Sequence, residues 1–82
     1  MNIPELHNIE NTDFVDNMTL TQCRDLLIKL GAEPFRNAPF LAAIMPDGDI
    51  IESSYVEWDG NNKIEAIRDL TKNCIDHYLL TN

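Results

Sequence analysis

The last third of the chain constrains the fold most. Ile64, Ile67, Leu70, Cys74, Ile75, Tyr78 and Leu79 recur at helical spacing. That spacing puts them along one side of a helix at about residues 62–80. At 1.5 Å per residue such a helix is roughly 28 Å long. An apolar stripe of that length must be covered, and 82 residues leave few segments to cover it.

One of those segments is a second stripe. Leu20, Cys23, Leu26, Leu27 and Leu30 predict a helix at about residues 20–30. Thr19 and Gln22 have the spacing of a capping box, and Met18 and Cys23 stand at the positions of a hydrophobic staple. Gly31 suits the left-handed residue that ends a helix, and Pro34 prevents continuation. Residues 32–39 read as a connection, because Pro34 and Pro39 push the residues before them toward extended backbone.

Between the stripes lies a β-hairpin, with Phe40 to Met45 as one strand and Ile50 to Val56 as the other. Met45-Pro46-Asp47-Gly48-Asp49 has the chemistry of a three-residue loop with a glycine bulge: Pro presets φ, Asp tolerates the second position and Gly takes the left-handed one. Asp59-Gly60-Asn61-Asn62 is a second turn and supplies N-cap candidates for the last helix. Residues 1–17 read as a partly ordered acidic arm in which Thr12 and Asp13 could open a short helical turn. Residues 18–82 form one domain. The expected class is α+β: a small helix–β-hairpin–helix domain with both helices packed on one face of a short antiparallel sheet. A lone two-stranded sheet is marginal. Either the N-terminal arm adds a strand, or a second copy completes the sheet as a homodimer.

Charge is sorted along this framework. Residues 1–23 carry Glu5, Glu10, Asp13 and Asp16 and no Lys or Arg, a local charge of −4. Residues 37–62 carry Asp47, Asp49, Glu52, Glu57 and Asp59, again with no Lys or Arg, a local charge of −5. The six Lys and Arg residues fall in the two helical stretches and just after the first. A net charge of −8 argues against direct nucleic-acid binding, which needs clustered cations against phosphates. It argues equally against an anionic membrane surface. The longest apolar run, Phe40 to Met45, is far too short to span a bilayer. The first residues lack the basic and apolar regions of a secretory signal, so a cytoplasmic location is expected. In a reducing compartment Cys23 and Cys74 are expected as thiols, each on an apolar helical stripe.

Chemistry-bearing constellations are sparse. Cys74 and His77 lie one helical turn apart and, with Cys23 and His7, make a conceivable zinc set. The paired close ligands that structural zinc requires at both ends are missing. Counting from Asp47 or Asp59, the fifth and sixth positions fail the EF-hand pattern, so both Asp-Gly pairs read as turn chemistry. With three glycines there is no phosphate-cradling loop. No catalytic residues, metal or cofactor are therefore expected. The most suggestive group is Tyr55, Glu57, Trp58 and Asp59, together with Asp47, Asp49 and Glu52 on the hairpin. Aromatic anchors among carboxylates have the makeup of a partner-binding patch, although Trp58 is somewhat better suited to the core under the last helix and Tyr55 suits either place equally. The expectation is a non-catalytic acidic interaction protein that binds a basic-surfaced protein partner. In one variant it occludes a nucleic-acid-binding surface, and in size and charge it resembles small acidic phage-encoded inhibitors. The alternative is a structural or regulatory homodimeric subunit whose acidity serves solubility.

Overall fold

In the computed structural model, which describes residues 11–37, 40–56 and 63–81, Thr19 starts the first helix through a complete capping box. Gln22 N donates to Thr19 Oγ1 at 3.2 Å, and Thr19 N donates to Gln22 Oε1 at 2.8 Å. The helix α1 spans Leu20–Leu30. Met18 and Cys23, the staple pair, are both fully buried. Gly31 ends the helix at φ 78°. Its N–H donates to Ile28 O and the Ala32 N–H to Leu27 O, both at 2.9 Å, the paired bonds of a Schellman motif.

The next segment departs from expectation. Residues 33–37 are not a connection but a strand, β1 (Glu33–Asn37), antiparallel to β2 (Phe40–Ile44), which pairs in turn with β3 (Ile50–Val56). The third strand thus comes from the proline-bracketed stretch, with no second copy needed. The reason lies in which way the backbone groups point. Met45 N donates to Asp49 O at 2.8 Å, so by alternation the odd-numbered residues of β2 bond toward β3 and the even-numbered ones toward β1. Pro34 sits opposite Ala43, so its nitrogen faces away from β2, where the ladder of the described strands requires no N–H.

The helix α2 spans Lys63–Thr81 and buries Ala66, Ile67, Leu70, Thr71, Cys74 and Ile75. It lies over β3 and β2, while α1 packs beside it and touches β1. Both helices therefore occupy one face of the sheet, as the α+β reading requires. Leu41, Ala43, Ile51 and Ser53 belong to that face by their alternation. The core joins Leu26, Leu27, Leu30, Leu70, Cys74 and Ile75 to Ala43 and Met45. Thr71, buried among them, donates its hydroxyl to Ile67 O at 2.6 Å, which removes the penalty of an unpaired buried polar group.

Ahead of α1, Asp13–Asn17 form a short 3-10 turn with Val15 fully buried. Two α2 side chains hold this turn: Arg68 donates through Nε and Nη2 to Met18 O at 3.0 and 2.8 Å, and Lys72 Nζ meets Asp16 Oδ1 at 2.6 Å. The register of β2 with β3 shifts between Phe40↔Val56 and Ala42↔Glu52, a bulge on β3. Residues 1–10 of the acidic arm and the turn at 59–62 lie outside the described residues.

Gly31 joins the end of α1 to the hairpin. A Cβ there would lie 2.8 Å from Pro46 Cγ, whereas a Cβ on Gly48 (φ 92°) would meet nothing within 4 Å. Both positions are left-handed, which costs a non-glycine residue about 1–2 kcal/mol. Gly31→Ala should therefore destabilise the protein more than Gly48→Ala in a denaturant titration. Equal losses would mean that the Pro46 contact relaxes freely.

Candidate functional site

The hairpin tip is built as its composition dictates. Gly48 N donates to Met45 O at 2.8 Å, and Asp49 N donates to Asp47 Oδ1 at 3.0 Å. The loop is Pro46-Asp47-Gly48 with Gly48 in the left-handed region, the three-residue form. One Asp47 oxygen is used inside the turn and the other projects toward α2. There His77 Nε2 lies 2.8 Å from Asp47 Oδ2 and 3.5 Å from Asp49 Oδ2. The His77 side chain is only 16% exposed. Beside it opens a cleft of about 350 Å³ lined by Met45, Pro46, Asp47, His77, Tyr78 and Thr81. The Asp49 N–H, and after it the His77 ring, holds the Asp47 carboxyl below its ordinary range.

His77 continues a line on α2. Asp69, Asn73 and His77 are spaced i, i+4, i+8 and share one flank of the helix. Ser54 N donates to Asp69 Oδ2 at 2.7 Å, and Asn73 Nδ2 donates to Glu52 O at 3.0 Å and to Asp69 Oδ2 at 3.3 Å. Glu52 and Ser54 are even-numbered, so these backbone groups face away from β2. Three α2 side chains thus grip the open side of β3 from its bulge to its turn.

Among the described residues, no helix packs on the far face of the sheet. By register Glu33, Phe35, Ala42, Ile44, Ile50, Glu52 and Ser54 lie on it; Ala42 is fully buried and Phe35 half-buried, and the others are exposed. Ile44 and Ile50 are direct cross-strand partners and are 40% and 56% exposed. Glu33 and Glu52, which flank them, are exposed as well.

Of the residues singled out in the sequence, Asp47, Asp49 and Glu52 are exposed on one hairpin. Among the described residues no Lys or Arg pairs with them; the basic group they meet is His77. Tyr55 lies in β3, its side chain outside the described residues, as are Glu57, Trp58 and Asp59. In the sequence His77 reads as a polar-face residue near the end of the last helix, one turn from a core Cys74, a reading that does not place it against the hairpin tip. The Cys74 thiol sits in the core, fully buried, and burial pushes its pKa up to about 12. Cys23 is raised for the same reason. The signal that could have placed His77 was its spacing from Asp69 and Asn73, a polar line beside an apolar stripe. Glu33, Ile44 and Ile50 were missed because β1 was read as a connection. Among the described residues no helix is long and apolar enough to cross a membrane. No protein-family model, curated protein or solved structure matches the chain.

Two outcomes test this site. A carboxyl with a depressed folded-state pKa contributes stability above its unfolded value and loses it as pH falls through the folded one. The stability gap between wild type and Asp47→Asn should therefore be present above about pH 4 and close below it, as read by denaturant titration at several pH values. Both thiols exist as free cysteines with raised pKa values. At neutral pH they should resist a thiol reagent in the folded protein and react on unfolding, as followed by mass spectrometry.

Proposed function

We propose that the chain is a small, non-catalytic acidic interaction protein of the cytoplasm that covers a basic surface on a protein partner. The observation that carries this reading is the open sheet face: the exposed Ile44–Ile50 pair, flanked by Glu33 and Glu52, on the hairpin whose tip bears Asp47 and Asp49. An apolar centre with a charged rim is the anatomy of a protein interface. The rim sets partner sign and association rate, while the centre sets residence time. Two of the α2 cations are engaged elsewhere, Lys72 with Asp16 and Arg68 with Met18 O. A partner whose basic surface otherwise holds phosphates fits this chemistry, since the competing ligand has the same charge.

Charge also argues against a second copy as the occupant. Two such faces meeting across a two-fold axis would bring Glu33 and Glu52 of one chain against those of the other. That repulsion favours a basic protein over self-association.

A photo-crosslinking residue placed at position 44, compared with one at Ile28, tests the proposal. Ile28 is 71% exposed on α1, away from the sheet. At low salt the group at 44 should capture a basic protein and the group at 28 should not. Capture should fall steeply between about 50 and 500 mM salt, as screening shortens. Glu33→Lys with Glu52→Lys should slow association about tenfold with folding unchanged by circular dichroism. Equal adducts at both positions, or salt-independent capture of copies of the same chain, would overturn the reading.

A further inference from the structure

We infer that Asp47, Asp49 and His77 form a binding site for a divalent first-row transition ion, with zinc the best fit. Each residue offers one ligand atom, and the three atoms lie within 4.8 Å of one another. His77 Nε2 lies 2.8 Å from Asp47 Oδ2 and 3.5 Å from Asp49 Oδ2. An ion held at about 2.0–2.2 Å by imidazole nitrogen and carboxylate oxygen requires ligand separations of about 3.0–3.5 Å at octahedral to tetrahedral angles. The two His77 separations bracket that range, so an ion could take the place of the His77–Asp47 hydrogen bond, with the two carboxylates turning to complete its shell.

The donors belong to two elements that other contacts already hold together. The tip is fixed by its loop bonds and by the approach of Pro46 to Gly31, and α2 is fixed along β3 by Asp69 and Asn73. No backbone rearrangement is needed to assemble the site. One imidazole with two carboxylates suits zinc, manganese, cobalt or nickel better than calcium or magnesium, which favour all-oxygen sets. Three protein ligands leave at least one coordination position to water or an incoming donor. This site stands on the geometry of the tip and does not depend on the docking face, whose Glu33, Ile44 and Ile50 take no part in it.

The experiment uses the full chain, stripped with chelator and titrated with zinc chloride by calorimetry, with the histidine ring resonances followed by NMR. Zinc should bind one to one and shift the His77 ring signals, with magnesium chloride failing to displace it. Asp49→Asn leaves the Asp47–His77 hydrogen bond in place and should lower zinc affinity at least about tenfold; His77→Gln should do the same, and His7→Gln should not. No binding up to about 1 mM zinc, shifts confined to His7, or affinity unchanged in both Asp49→Asn and His77→Gln would overturn the assignment. Should a variant fail to fold by circular dichroism, the His77 signals of the wild-type protein decide the matter.

Discussion

The line of Asp69, Asn73 and His77 along one flank of α2 is what makes a thin sheet hold its shape. The outer strand of a sheet has backbone groups that point away from its neighbour and out of the ladder. Here Ser54 N and Glu52 O are taken by Asp69 and Asn73, and the hairpin tip is taken by His77. Each such bond contributes only about 0.5–1.5 kcal/mol net. Their greater effect is geometric, because they fix β3 along the helix that also carries the core. The opposite flank of α2 does the same for the segment before α1, through Arg68 and Lys72. One helix thus supplies three functions from three faces: an apolar stripe for the core, a cationic flank for the 3-10 turn, and a polar flank for the sheet.

That division of labour explains the charge pattern. Two helix cations, Lys72 and Arg68, are drawn to Asp16 and to the carbonyl of Met18, and the hairpin keeps its carboxylates. His77 is the exception, and it sits where the two hairpin aspartates converge. The tip is therefore a place where charge is concentrated and geometrically fixed, while the sheet face beside it offers apolar area. The docking proposal draws on both properties, centred on the second, and the metal proposal on the first alone. They can succeed or fail separately.

Much of the fold was legible in the sequence because local and long-range signals agreed. The Thr19–Gln22 box, the Gly31 stop, the Pro46-Asp47-Gly48 loop and the long Ile64-to-Leu79 stripe each specify one conformation, and each is found. β1 was illegible because two prolines in eight residues outweigh any strand pattern, and a proline's compatibility with a strand depends on which side faces a neighbour. That is a property of the sheet, not of the segment. The same limit applies to the site. The hairpin acids could be named, but Glu33, Ile44 and Ile50 become one surface only after the register is set. His77 could not be placed without knowing which flank of α2 meets the hairpin. Cys74, one turn away, is turned into the core.

The outward nitrogen of Pro34 bears on how copies of this protein meet in crowded solution. Strand-by-strand growth of the cross-β kind needs a row of unsatisfied donors and acceptors as a template. On the β1 side that row is interrupted by an imino acid, and on the β3 side it is occupied by carboxylate and amide groups from α2. Neither flank of the sheet can readily recruit a neighbour's backbone. The protein can therefore leave two isoleucines in view on its open face without that display becoming a seed for fibres.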